Sequence, residues 1–260
     1  MTEPIELPDG RGRLIVVEDG EAIARAAAER FVAATEAAVA ARGQALVALS
    51  GGSTPKRMAE LLARPELAGR VPWAAIDIFW GDERWVPLAS GESNAGEAMR
   101  ALLDKVPVPP ERVHPVATDL ASPVRAAEAY EAEIRRAAGE PADAPVFDLV
   151  LLGMGDDGHT ASLFPGTAAL HEREKLVAEN FVPKLGADRI TFTYRLIGAA
   201  REVLFLVGGA AKAEMLARVL EGPPALEELP AQGVRPEHGS LTWLVDRAAA
   251  GSRRPGSERG

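Results

Sequence analysis

Apolar positions along the 260-residue chain follow two rhythms. LIVV (14–17), ALVALS (45–50), IDIFW (76–80), FDLVLLG (147–153) and VLFLVG (203–208) are short, predominantly apolar runs, as expected of strands buried on both faces. Ala-rich segments with apolar residues at helical spacing fall between them, at 21–41, 54–63, 93–103, 124–139 and 210–222. Ser93 stands where an N-cap belongs and Gly139 where a helix ends. LVAENFV (176–182) and RITFTY (189–194) read as two more strands. This βαβα order predicts an α/β fold, a mostly parallel sheet covered by helices, as one domain over residues 1–250. The Pro-rich stretches 104–123 and 222–239 read as connections within that domain. The polar, Gly/Pro-rich 251–260 is expected to be a disordered tail.

Charge and composition narrow the function. With 29 Lys plus Arg against 38 Asp plus Glu, a net charge of -9, the chain is not expected to bind nucleic acid or an anionic membrane. An anionic ligand then has to be held by a local cluster. There is no cysteine, which excludes thiolate nucleophiles and Cys-zinc sites. The N-terminus MTEPIELPDGRGR has no apolar signal core, and no run approaches the ~18 apolar residues of a membrane span, so a cytoplasmic protein is expected.

Three strand ends carry anion-binding chemistry. ALVALS runs into Ser50, Gly51, Gly52, Ser53 and Thr54 and then a helix with Pro55 expected at its first position and Ser53 or Thr54 as its cap. Paired glycines leave the turn amides unobstructed, and the helix dipole favours a phosphate there. GDER places Arg84 after IDIFW, and GGAAK places Lys212 after VLFLV. The C-terminal ends of parallel strands share one edge of the sheet, so both cations are expected to converge on that turn.

A fourth strand end is GMGDDGHTASLFPG (153–166), with Gly153, Gly155 and Gly158 spaced G-x-G-x-x-G. A dinucleotide fingerprint is disfavoured, because Asp156 and Asp157 would repel a pyrophosphate and Glu172 and Glu174 lie in a charged loop rather than at the end of the next strand. The loop reads instead as a floor for His159, at the expected start of a short helix HTASLF, where an imidazole can take and return a proton near neutrality. His114, His171 and His238 have no comparable setting, and no His/Asp/Glu spacing resembles a metal site.

Together SGGSTP, GDERWVP with the downstream SN, GMGDDGHTASLFPG, RITFT, GGAAKAEML and the C-terminal GSLTWLVDRAA resemble the 6-phosphogluconolactonases. The resemblance implies a Rossmann-like three-layer α/β/α sandwich shared with glucosamine-6-phosphate deaminases and ribose-5-phosphate isomerases. It also implies hydrolysis of 6-phospho-D-glucono-1,5-lactone without a cofactor. The family's His and Asp fall on His159 and Asp157, its Arg on Arg84 and its phosphate-side Lys on Lys212. Arg189 is a further candidate for substrate contact or loop ordering. The chain departs from the pattern at Arg195 and Gly198, where Pro and Asn are expected, and at Gly208, where Thr is usual; these departures bear on sugar-hydroxyl contacts.

Ester chemistry then assigns His159 as general base toward water, Asp157 as the group orienting it, and loop amides near Gly155 to Gly158 as donors to the carbonyl oxygen. Ser50 to Thr54, Arg84 and Lys212 hold the phosphate. A deaminase on the same fold is the nearest rival: Asp82 fits it, whereas Phe164 occupies the place of its acidic residue. A sugar-phosphate sensor would need a helix-turn-helix, for which neither terminus is expected to have room.

Overall fold

The computed structural model describes residues 3–251; the tail expected at 251–260 lies, after Gly251, outside them. The chain opens with β1 (Ile5–Glu6), β2 (Arg13–Val17), α1 (Gly20–Arg42) and β3 (Ala45–Leu49). There follow α2 (Ser53–Leu62), α3 (Pro65–Ala68), β4 (Ile76–Trp80), β5 (Asp82–Arg84), α4 (Asn94–Ala101), α5 (Pro123–Ala137) and β6 (Leu149–Leu152). The C-terminal part carries β7 (Val177–Val182), β8 (Ala187–Phe192), α6 (Tyr194–Gly198), β9 (Glu202–Val207), α7 (Ala213–Glu221), β10 (Ser240–Asp246) and α8 (Arg247–Ala250).

Seven strands form one sheet in the order β1-β2-β10-β9-β6-β3-β4, parallel throughout except for β1 against β2. Successive residues of a strand point to opposite faces, so each strand feeds two cores. Val47, Leu49, Ile78 and Leu151 pack with Ile23, Phe31, Met58 and Leu62 of α1 and α2. Leu46, Ala48, Phe79 and Phe205 pack on the other face with Tyr130 and Ile134 of α5 and Leu216 of α7. The result is the expected three-layer α/β/α sandwich. Among the described residues no helix is long and apolar enough to cross a membrane.

LVAENFV and RITFTY are strands, as the pattern predicts, but they do not join the main sheet. They form β7 and β8 of a separate antiparallel sheet, ordered β5-β8-β7. Its third strand is the DER of GDER: the chain leaves the main sheet at Gly81, whose amide still donates to Leu49 O, and immediately pairs Arg84 opposite Arg189.

Helix boundaries follow local chemistry. Asp19 caps α1 through a 2.9 Å bond from Ala22 N, and Gly43 ends it at φ 76°. Ser93 caps α4 as expected, accepting from Gly96 N at 3.0 Å. The start of α2 differs from expectation. Gly52 is its N-cap, with φ 109°, and no side chain caps it; Ser53 and Thr54 are its first two residues and Pro55 its third. The amides of Gly52, Ser53 and Thr54 donate to no acceptor among the described residues.

Strand order also fixes where a ligand fits. From β3 the chain crosses to β4 on one side, whereas from β6 it proceeds to β9 on the other. Loops leaving β3 and β6 therefore part in opposite directions and open a crevice at the carboxyl ends of the strands. SGGST follows β3 and GMGDDGH follows β6.

Candidate active site

Two contiguous hollows of about 270 Å³ each occupy that crevice and share Asp82, Arg84, His159 and Ala161. One half is completed by Ser50, Gly51, Asn94, Gly155 and Lys212, the other by Asp157, Ser162, Phe164, Lys184 and Arg189. Of the residues expected at the site, Gly52, Ser53 and Thr54 do not line either half; they shape the turn behind Ser50 and Gly51. Arg195, Gly198 and Gly208 line neither half.

His159 sits at the join. Its Nδ1 lies 2.5 Å from Asp157 Oδ1, and its ring stacks on Phe164 at a centroid separation of 4.0 Å. An ionised carboxylate only accepts, so Nδ1 carries the proton, and the neutral ring then presents a lone pair at Nε2. Nε2 has no hydrogen-bond partner among the described residues. The hydrogen bond to the imidazole, opposed by partial burial and helped by Lys184, holds the Asp157 carboxyl well below the usual carboxylate range. Asp157 therefore stays ionised wherever the protein is folded near neutrality.

The glycines serve this ring. A Cβ on Gly155 would stand 2.0 Å from His159 Nδ1, so only glycine lets the imidazole lie over the loop. Gly158 has φ +77° and is pressed against Leu229. The expected short helix HTASLF is absent: Ala161 has φ +47°, and Thr160 bridges to Leu163 across a tight turn. That left-handed alanine, a conformation of order 1 kcal/mol above the ordinary regions, aims the turn at the cleft and lines both halves. The amides of Gly155 and Gly158 are not the free donors expected for a carbonyl oxygen. Gly155 N donates to His159 O at 2.9 Å and Gly158 N to Gly155 O at 3.1 Å, so both are committed to holding the loop.

Cations surround the imidazole. Arg84 and Arg189 face each other across β5 and β8, and each guanidinium bonds only to main-chain carbonyls, of Glu92 and Asp188. Burial, and then the neighbouring charge of Arg84, lower the Arg189 pKa. Two adjacent guanidiniums without a carboxylate partner among the described residues favour an anion between or beside them. Lys212 is ion-paired with Asp156 at 2.5 Å.

Asn94, Glu83 and, on the other half of the cleft, Lys184 were not assigned a role from the sequence. Asn94 donates from Nδ2 to Asp82 O at 2.9 Å, and its Oδ1 occupies the space a Cβ on Gly51 would need. Glu83, 1% exposed, accepts from Arg84 N, Asn94 N, Ala95 N and Ser93 Oγ, pinning the start of α4 to β5 and so the base of Arg84. Burial raises its pKa against those four bonds. Glu83 stands inside GDER and Asn94 in the downstream SN, but the motifs alone give neither residue these contacts.

The remaining histidines differ. His171 is exposed beside Glu227, and His238 is exposed. His114 is buried, with Nδ1 2.7 Å from Glu133 and Nε2 2.9 Å from Asp77. Among the described residues no three His, Asp or Glu side chains gather as a metal-ligand set.

The same arrangement of elements occurs in known proteins. Residues 18–243 match the family described as glucosamine-6-phosphate isomerases/6-phosphogluconolactonase. A 6-phosphogluconolactonase of Synechocystis is 44% identical over 219 residues, covering 84% of this chain and 88% of the relative. One from Nostoc is 41% identical over 237 residues, with 90% and 95% covered. The solved 6-phosphogluconolactonase of Trypanosoma cruzi superposes with a TM-score of 0.84 at 31% identity, over 96% of this chain and 100% of that one. With nearly its whole α/β body matched, this chain belongs to the glucosamine-6-phosphate isomerase/6-phosphogluconolactonase family.

Proposed function

We propose that this chain is a 6-phosphogluconolactonase, hydrolysing 6-phospho-D-glucono-1,5-lactone to 6-phospho-D-gluconate in the oxidative pentose phosphate pathway. The observation that carries the reading is the single unpartnered nitrogen of His159, turned to a cleft rimmed by cations while Asp157 fixes the other nitrogen.

The chemistry follows from that nitrogen. Nε2 takes a proton from water as the water oxygen bonds to the lactone carbonyl carbon. Asp157 stabilises the imidazolium so formed. The tetrahedral intermediate collapses with cleavage of the bond between the carbonyl carbon and the ring oxygen, and the imidazolium returns the proton to that oxygen. The carboxylic acid product ionises, releasing one proton to solution.

The phosphate belongs in the half formed by Ser50, Gly51, Arg84 and Lys212, beside the free amides that open α2. Entry there displaces Asp156 from Lys212. Holding the distant phosphate lends binding energy to orient the carbonyl at Nε2. Deaminase chemistry is the second reading, favoured by Asp82 at the cleft. The stacked Phe164 weighs against it, giving the imidazole an apolar face instead of a second carboxylate.

A pH-stat with freshly prepared phosphogluconolactone tests the proposal. The purified protein should accelerate base uptake far above the spontaneous rate. Uptake no faster than buffer, or ammonia release from glucosamine-6-phosphate in its place, would overturn it.

A further inference from the structure

Asp157 uses only one carboxylate oxygen on His159. The other, Oδ2, accepts from Lys184 Nζ at 3.0 Å. Lys184 stands at the tip of the hairpin joining β7 to β8, 27 residues from Asp157 in sequence, and no motif marks it. The tip is a built turn: Leu185 N donates to Val182 O at 3.0 Å, Gly186 N to Pro183 O at 3.2 Å, and Gly186 takes φ +58°. Leu185 beside it lines the same half of the cleft as His159. The small antiparallel sheet thus reaches back over the loop of the large one and touches it at the carboxylate behind the imidazole.

We propose that Lys184 is a positioning residue for lactone hydrolysis, clasping the outer oxygen of Asp157 so that the inner one stays on His159 Nδ1. The inference rests on the hydrolase reading of His159. A carboxylate held through one oxygen is free to swing about its own side-chain bonds; a second bond from another element removes that freedom. The ammonium also draws charge away from the oxygen facing the ring, which sets how strongly the imidazolium is stabilised. Other charged groups face the dyad: Asp156 on its own loop, Asp82 and Arg84 from β5, Arg189 from β8, and Lys212 from the turn after β9. None of these other cations hydrogen-bonds Asp157; Lys184 does.

Lys184→Ala, Lys184→Arg and Lys184→Glu should be assayed across pH with both 6-phosphogluconolactone and unphosphorylated gluconolactone. The pair is partly exposed, so kcat of Lys184→Ala should fall by about two- to fivefold on both lactones. Without the nearby cation the imidazolium is better stabilised, and the acid limb of kcat/KM should move to higher pH by about half a unit. Lys184→Glu should exaggerate both effects and Lys184→Arg should restore them. Unchanged kcat and acid limb in Lys184→Ala would overturn the inference. So would an effect confined to KM for the phosphorylated lactone, which would make Lys184 a substrate contact. His159→Ala assayed alongside separates the two ideas: if it is inactive while Lys184→Ala is normal, only the role of Lys184 fails.

Discussion

His159 and His114 each hydrogen-bond an aspartate, and each stacks on a phenylalanine ring: His159 on Phe164, His114 on Phe79 at 4.4 Å. One lies at the carboxyl ends of the strands, the other beside Asp77 near the start of β4. They differ in what is left over. Both nitrogens of His114 point at carboxylates, Asp77 and Glu133, and Arg112, Gln44 and Arg136 complete a closed network around it. His159 spends one nitrogen on Asp157 and keeps the other for the cleft. An Asp–His pair is thus no signature of catalysis by itself; an uncommitted nitrogen facing a cavity is what separates a reactive imidazole from a structural one.

The comparison breaks most visibly at Asp157. An amide at that position donates to the nearer ring nitrogen and forces the proton onto the other, so Asp157→Asn should lower kcat by roughly 10³- to 10⁴-fold with little change in Tm. Retained turnover in the folded variant would mean that the tautomer of His159 is not set by Asp157.

At the structural pair the readout changes from rate to stability. His114→Ala opens a buried ion network and should cost about 3 kcal/mol in denaturant unfolding while leaving kcat of the folded enzyme near wild type. Its acid dependence is also defined. Burial alone would raise the Asp77 pKa, but bonds to His114 and Gln44 and the charge of Arg112 outweigh it and lower it. Arg136, opposed by burial and aided by His114, lowers that of Glu133. Groups depressed in the folded state contribute stability that is full above the ordinary carboxylate range and lost as pH falls through and below about 4. His114→Ala should flatten that acid decline; an unchanged slope would show that the network contributes nothing to it.

Within the cleft, the phosphate end sharpens the contrast. Lys212→Ala and Arg84→Ala each remove a charge-assisted contact, about 1.5 to 3 kcal/mol, hence about ten- to more than a hundredfold in kcat/KM for the phosphorylated lactone. Gluconolactone, lacking the phosphate, should be nearly indifferent. Equal losses on both lactones would place the phosphate elsewhere. The smallest effect belongs to Asp156→Asn. Removing the carboxylate that Lys212 holds should tighten inhibition by inorganic phosphate by about two- to fivefold. Weaker inhibition would give Asp156 a supporting role instead.

What the sequence carried and what it hid divide along contact range. The strand-end loops were legible because apolar runs mark their strands, and the Asp157–His159 bond because only Gly158 separates its partners. Lys184, Glu83 and Asn94 were not, since their roles come from strand pairings and helix docking that no local pattern encodes. The helix expected over HTASLF fails because Ala161 turns left-handed, and Ser53 and Thr54 do not cap because Gly52 takes that position first. The amides of Gly155 and Gly158 looked available in a glycine-rich stretch, yet the loop that glycine permits consumes both.

The most direct test removes the free nitrogen itself. His159→Ala should retain the wild-type Tm and lower kcat by about two to four orders of magnitude on phosphorylated and unphosphorylated lactone alike. Near-wild-type turnover in that folded variant would contradict the assignment of lactone hydrolysis to this imidazole.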